Sequence, residues 1–275
     1  MQKTGLLYLV PTPIGNLGDI TLRALEVLKA VSLIAAEDTR RTGLLLKHYN
    51  IKNKLISYHK FNESQRTQKL LEMVQNGFDI AIVSDAGSPG ISDPAMIIVK
   101  KATAQNIQVI ALPGATAFVP AITASGLDCE RFSFWGFIPP KGSAQKSVLT
   151  QMASASSTLI CYETPKRLAK TSTLLMAVLG NRKVVIAKEI SKIFEEYIHS
   201  DLQSLAQDSL ELKGELVLVI DAPTTVVQTP ADIDAMIMQG IADGLSPKLI
   251  AHQLKEKLQC TKSHIYQRAL ELRDK

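Results

Sequence analysis

The sequence predicts an α/β protein with a mostly parallel five-stranded sheet domain, a mixed-sheet α+β domain and a small helical C-terminal tail. Three observations carry this. Over the first 120 residues, short apolar or β-branched runs alternate with amphipathic stretches, as strand–helix units around a parallel sheet do. Those runs are almost continuously apolar, which suits strands covered on both faces. Beyond residue 130 the number of helices per strand falls, which points to a mixed sheet.

In chain order, "LLYLV" (6–10), "SLIAAED" (32–38), "KLISYH" (54–59), "DIAIVSD" (79–85) and "QVIALPG" (108–114) read as strands. Helices are expected over 19–31, 39–50, 62–77 and 93–106. Asp19, Asn62 and Asp93 stand where N-caps belong, and Gln65 completes a capping-box spacing with Asn62. "NG" at 76–77 is a helix stop. Later strands are expected at 131–140, 157–164, 183–190 and 214–221, with helices near 144–155 and 166–179. The segment "PGATAFVPAITASGLD" leaves the fifth strand and sets the boundary, giving divisions at 1–118, 119–224 and 225–275. "APTTVVQTP" (222–230) reads as a linker. The tail has three helical stretches broken at Gly244-Leu245-Ser246-Pro247 and at Gln259-Cys260-Thr261. Its spacing is faintly that of a helix-turn-helix, but small three-helix caps share it, and no DNA partner is expected.

The 275 residues are 46% hydrophobic and 21% charged, the balance of a soluble globular protein with a substantial core. No apolar run is long enough to span a bilayer, and the N-terminus lacks the long apolar stretch of a secretory signal. The reading is cytoplasmic, with no membrane partner. Cys129, Cys161 and Cys260 form no CxxC, and the five histidines form no HxxxH pair, so no metal is expected. A net charge of +5 permits an anionic partner such as RNA. Basic residues gather at Arg40-Arg41, around Lys60 and at Lys166-Arg167, and from Gly244 to Lys275 there are seven Lys/Arg against three Asp/Glu.

Three loops fall at the carboxyl ends of predicted strands: "PTPIGNLGD" (11–19), "SDAGSPGISD" (84–93) and "LPGATA" (112–117). In an open parallel sheet that edge is where ligands bind. "SPG" at 88–90 suits a type II turn with Gly90 at its third position. These loops contain no Lys or Arg, but they do contain Asp19, Asp85 and Asp93. A polyphosphate site would set a cation beside its glycines. Carboxylates suit ribose hydroxyls, an ammonium group or a cationic ligand, and S-adenosylmethionine offers all three. Asp85 is the strongest candidate ligand.

The blocks "LYLVPTPIGNLGDITLRALEVLKAVSLIAAEDTRRTGLLL", "ISYHKFNES", "IVSDAGSPGISDP", "LPGATA", "FWGFIPPK", "YETPKRL" and "KGELVLVI" closely resemble the ribosomal-RNA branch of the tetrapyrrole (corrin/porphyrin) methylase family. The resemblance covers roughly residues 5–221, and the helical tail also matches. It implies the two-domain tetrapyrrole-methylase-like fold, with S-adenosylmethionine held in the cleft between domains. It also implies methylation of the ribose 2′-hydroxyl of a cytidine in the decoding centre of 16S rRNA, in naked RNA or an assembled small ribosomal subunit, by a homodimer. Carried over by position, the cofactor site is Pro13, Asp85, Ser88, Ile91, Thr116, Ala117, Tyr162, Ala187 and Glu215. Thr116 and Ala117 open a helix after the fifth strand, where N–H groups are free to donate.

"EDTRRT" (37–42) and "SYHKFNE" (57–63) stand at strand ends facing the same cleft. Arginines at a helix start oppose the helix dipole, so a substrate phosphate explains Arg40 and Arg41 better than stability does. Tyr58 and Phe61, interleaved with basic residues, resemble a base-stacking surface. The RNA-facing set is thus Arg40, Arg41, Lys60, Lys166 and Arg167. Asp38, His59 and Glu63 are the candidates for a base acting on the ribose hydroxyl. Two other readings stay open: a same-fold methylase acting on a tetrapyrrole or protein side chain, and a non-catalytic RNA-binding assembly factor.

Overall fold

The structure, a computed structural model, describes residues 4–207, 211–223, 230–255 (side chains from 233 onward) and 261–273. Met1–Pro223 form one compact unit and Thr224–Lys275 a second. In the first unit β1 (Leu7–Leu9), β2 (Leu33–Ala36), β3 (Leu55–Ser57), β4 (Ile80–Val83) and β5 (Val109–Ala111) make an entirely parallel sheet in the order β3-β2-β4-β1-β5.

Side-chain alternation splits these strands between two cores. Leu33, Ala35, Ile80 and Ile82 pack with Leu70, Leu71 and Val74 of α3 (Glu63–Gln75) and with Ile98 of α4 (Met96–Ala104). Ile34, Ala36, Ala81 and Val83 face the other way, onto Ala24 and Leu28 of α1 (Leu22–Ala30) and Leu46 of α2 (Thr39–His48). A strand covered on both faces has no position for a polar side chain, which is why its sequence runs apolar without a break.

The helix starts differ in part from the sequence reading. The chain first makes a 3-10 turn at Leu17–Asp19, which carries Asp19 out of the capping position. Thr21 caps α1 instead, its hydroxyl accepting from the Ala24 N–H at 3.1 Å. Asn62 occupies the N-cap of α3 but makes no side-chain cap bond. Its backbone (φ −123°, ψ −6°) is not the extended conformation a cap needs, and its Oδ1 accepts from the His59 N–H at 2.8 Å. The N-cap of α4 is Ala95, leaving Asp93 for another role. The helix stop at 76–77 is present: α3 ends at Gln75, and Gly77 takes φ +91°.

The second sheet contains β6 (Phe132–Phe137), β7 (Thr158–Glu163), β8 (Lys183–Lys188), β9 (Glu196–Asp201) and β10 (Leu216–Ile220) in the order β6-β7-β10-β8-β9. Only β6 and β7 run parallel, so the sheet is mixed as expected. β9 and the short α8 (Leu202–Gln207) are additions to the predicted elements. Leu159, Cys161, Ile186 and Leu218 face Met152 of α6 (Gly142–Ala153), Leu168 and Leu175 of α7 (Pro165–Leu179) and Leu205 of α8. On the other face, Ile160, Val185 and Val219 pack on Ala121 and Ile122 of α5 (Phe118–Thr123). Ile14, from the loop after β1, joins that same cluster and so ties the two sheets together.

The second unit contains α9 (Pro230–Ala242), α10 (Pro247–Leu254) and α11 (Lys262–Arg273) around Ile237, Ile250, Leu254 and Ile265. Ser246 caps α10, with Pro247 at its first turn. Arg268 donates to both Asp234 carboxylate oxygens, at 2.7 and 2.5 Å. Most of the expected linker (224–229) and the break at Gln259-Cys260 lie outside the described residues.

Gly114, after β5, lies against Pro11, after β1. A Cβ on Gly114 would stand 2.5 Å from Pro11 Cβ and 2.8 Å from its Cγ. The pyrrolidine ring cannot swing away, so Gly114→Ala must push the two loops apart. The expected cost is about 1–3 kcal/mol, read from urea denaturation. An unchanged midpoint would mean that the loops are slack.

Candidate active site

The crossover from β1 runs to one side of the sheet and that from β4 to the other, so a crevice opens between these neighbouring strands. Thr12 and Gly87 span it by exchanging two backbone hydrogen bonds of 2.9 Å each. Thr12 Oγ1 donates to the Ser84 carbonyl at 3.0 Å, and Ser84 Oγ to the Gly87 carbonyl at 3.0 Å. The loop after β5 joins through Ser88 Oγ, which donates to the Ala115 carbonyl at 3.2 Å. Gly87 (φ +81°) lies in the left-handed region that only glycine enters without strain. The Ile91 N–H donates to the Ser88 carbonyl at 3.2 Å with Gly90 at φ +89°, the type II turn expected at 88–90.

Above these loops is a cavity of about 310 Å³, walled on its far side by the ends of β7 and β10. Of the expected cofactor residues, Asp85, Ser88, Ile91, Thr116, Ala117, Tyr162 and Glu215 line it. Pro13 instead lines a neighbouring cavity of about 260 Å³, which shares Arg41 and Asp85 with the first. Ala187 does not line the cavity. Its short side chain is fully buried in β8 beside Val217, and Val217 is what reaches the cavity. Ala187 supports the wall rather than forming it.

Asp85 connects the strand ends. Its Oδ1 accepts from the Asp38 N–H at 2.9 Å, and its own N–H donates to Glu37 Oε2 at 3.4 Å. Glu37 and Asp93 also line the cavity. Burial pushes the Glu37 carboxyl up, opposed by the Asp85 N–H bond. Asp93 is pushed up to about 7, first by burial and then by the charges of Glu37, Asp85 and Glu215. Tyr162 meets Phe134 edge-on at 4.9 Å, and burial followed by the Asp93 charge pushes its phenol up to about 12.

The loops themselves lack cations, but the cavity does not. α2 brings Arg41 to 3.5 Å from Asp85 Oδ2. The β8–β9 connection brings Lys192 to 2.9 Å from Glu189 and 3.9 Å from Glu215. Carboxylates still outnumber these two cations around the cavity. Arg167 makes contacts within its own domain. Its Nε lies 3.5 Å from buried Glu163 and its Nη2 donates to the Ile138 carbonyl at 2.5 Å, while the side chain stays partly exposed. Glu163 needs that partner, and the Thr171 hydroxyl also donates to it through a short bond. Arg40, Lys60 and Lys166 remain exposed.

The three candidate bases do not line the cavity. Asp38 caps α2 and pairs with Arg40 at 2.6 Å, and hydrogen bonds from Arg40 hold its carboxyl far below the usual carboxylate range. His59 Nε2 lies 3.2 Å from Asn62 Nδ2, and Glu63 opens α3. The sequence reading missed Lys192 and Glu189, which follow β8 with no motif. It also gave Asp93 to a helix cap, although its place at the end of the glycine loop was visible.

The donor set fits S-adenosylmethionine. The cavity volume lies in the range of small-ligand sites, roughly 300–1,000 Å³. A cation gains from the surplus of carboxylates, and Asp85 and Glu215 can accept hydrogen bonds from hydroxyl or ammonium groups.

Comparison with known proteins gives the same picture. The Tetrapyrrole (Corrin/Porphyrin) Methylases match residues 6–206. "Ribosomal RNA small subunit methyltransferase I" of Synechocystis is 43% identical, covering 98% of both chains. The protein of that name from Escherichia coli O157:H7 is 41% identical over 98% of this chain and 96% of its own. Among solved structures, native uroporphyrin III C-methyl transferase from Thermus thermophilus superposes with a TM-score of 0.60 at 17% identity, covering 79% of this chain and 97% of its own. The same enzyme complexed with S-adenyl homocysteine gives 0.58 at 18% identity, covering 79% and 97%. These two share the fold.

Asp93 carries a testable consequence. Its folded-state pKa lies above the ordinary aspartate value, so between the two the folded chain binds more protons than the unfolded one. The group therefore supports folding at low pH, and that support is lost as pH rises through about 7. Asp93→Asn should melt higher than the ligand-free parent protein at pH 8, with the gap closing toward pH 5. Parallel melting curves across that range would show that Asp93 is solvated.

Proposed function

This chain belongs to the tetrapyrrole (corrin/porphyrin) methylase family, and we propose that it methylates the ribose 2′-hydroxyl of a cytidine in the decoding centre of 16S rRNA. It is an S-adenosylmethionine-dependent methyltransferase of ribosomal RNA. The observation that carries the finer reading is the carboxylate-rich cavity at the switch point, beside a strand-end surface that exposes Arg40 and Lys60. The reading extends to 16S rRNA, naked or in the assembled small subunit, as substrate, to a homodimer and to a cytoplasmic setting. Among the described residues, no helix is long and apolar enough to cross a membrane.

When bound, S-adenosylmethionine supplies a methyl group on a positively charged sulfur that departs as a neutral thioether. The chain's task is mostly to position the two reactants. Asp85, fixed by the Asp38 N–H and the Thr12–Gly87 bridge, is the anchoring carboxylate. The acceptor hydroxyl must lose a proton as its oxygen takes the methyl group. Asp38 is a poor acceptor for that proton because Arg40 stabilises its charged form. Asp93 lines the cofactor cavity, and burial raises its carboxyl in the ligand-free chain, so it is the carboxylate assigned to take that proton.

The deciding experiment incubates the protein with methyl-labelled cofactor and assembled small ribosomal subunits, then maps the label. Label on a cytidine ribose of 16S RNA is the expected result. Label on a tetrapyrrole or on ribosomal protein alone would replace this reading with another methylase activity. Asp85→Ala should weaken cofactor binding at least about tenfold, about 1.4 kcal/mol, by calorimetry. Arg40→Glu should raise the KM for subunits several-fold and reduce the salt slope of RNA binding by about one, leaving cofactor affinity unchanged. Equal loss of both affinities would instead indicate misfolding.

A further inference from the structure

The smaller cavity, about 260 Å³, is lined in part by residues outside the expected cofactor set, among them Leu17, Thr42, Leu44 and Leu45. It meets the cofactor cleft at a single ion pair, because Arg41 and Asp85 line both. We propose that this cavity receives the acceptor nucleoside, one unpaired pyrimidine nucleotide of single-stranded RNA turned out of its stack. The proposal rests on the reading of the chain as a ribosomal RNA methyltransferase.

Four features support it. First, position: a group seated here lies across the Arg41–Asp85 pair from the cofactor cleft, and methyl transfer needs the acceptor close to the donor. Second, size: the volume falls below the usual small-ligand range and suits one nucleoside rather than a polynucleotide. Third, surface chemistry: Leu44, 70% exposed, and Leu17, 41% exposed, put apolar side chains at the rim where solvent alone would favour polar ones. Arg41, Leu44 and Leu45 lie three and four positions apart, on one face of α2. An apolar strip beside a guanidinium plane is what a splayed base stacks on, and RNA readers take single bases this way. Fourth, the Arg41 side chain is 69% exposed and stands 3.5 Å from Asp85, beyond a good hydrogen bond. It is free to turn from the carboxylate to an incoming base or phosphate.

The test compares three variants for cofactor affinity by calorimetry and for methyl transfer to small ribosomal subunits. Leu44→Glu puts a charge on the rim, and Leu44→Ala removes the stacking surface without changing charge. Leu22→Glu places the same charge on another exposed leucine, 79% exposed, that lines neither cavity. All three should bind cofactor within twofold of the parent protein. For kcat/KM with subunits, Leu44→Glu should fall at least tenfold, Leu44→Ala about threefold, and Leu22→Glu less than twofold. The subsite is overturned if Leu44→Glu transfers methyl as well as the parent protein, or if Leu22→Glu falls as far. A parent protein that binds cofactor but labels no RNA would overturn the underlying function, a distinct outcome.

Discussion

The pair of backbone hydrogen bonds between Thr12 and Gly87 is the constraint on which the rest of the site depends. β1 and β4 are neighbours whose onward connections leave in opposite directions, so nothing in the sheet itself holds their loops together. The bridge does so, the Thr12 hydroxyl donates to the Ser84 carbonyl, and the Ser84 hydroxyl adds a second donor to the Gly87 carbonyl that the bridge already uses. With those loops fixed, Asp85 points at a set place and Ile14 reaches the core of the second sheet. The cleft therefore inherits its shape from the sheet order.

Charge gives the cleft its selectivity. Burial, and after it the charges of Glu37, Asp85 and Glu215, make Asp93 hold its proton more tightly. A bound cation offsets those charges, whereas a bound phosphate would add to them. Lys192 and Arg41 temper the field from the two sides without reversing it. Farther along the same strand ends Arg40, paired with Asp38, and Lys60 stand in solvent. The carboxylate-lined cleft and these exposed cations thus share one edge of one sheet.

Much of this was legible in the amino-acid order. The unbroken apolar strands of the first sheet and the glycine turn at 88–90 follow from local chemistry. The strand β9 was not legible. Glu196, His199 and Asp201 make it read as loop, because it lies at the sheet edge and only partly buries its residues. The ion pair of Arg167 was not legible, because its partner, Glu163, reads as an ordinary strand-end residue. Only burial shows that the carboxylate needs a cation. Lys192 reaches the cleft by long-range packing, which no spacing rule encodes. Family resemblance supplied Ala187, whose side chain proves to sit behind the wall.

The Arg41–Asp85 pair forms a partition common to two chambers. A cation on one side competes for the carboxylate, and an anion or base on the other competes for the guanidinium. Each arrival loosens the partner that the other must displace. Thermodynamic linkage then requires the help to be mutual and equal in size. On the proposed assignment of the two cavities, donor and acceptor occupancy are coupled through one salt bridge.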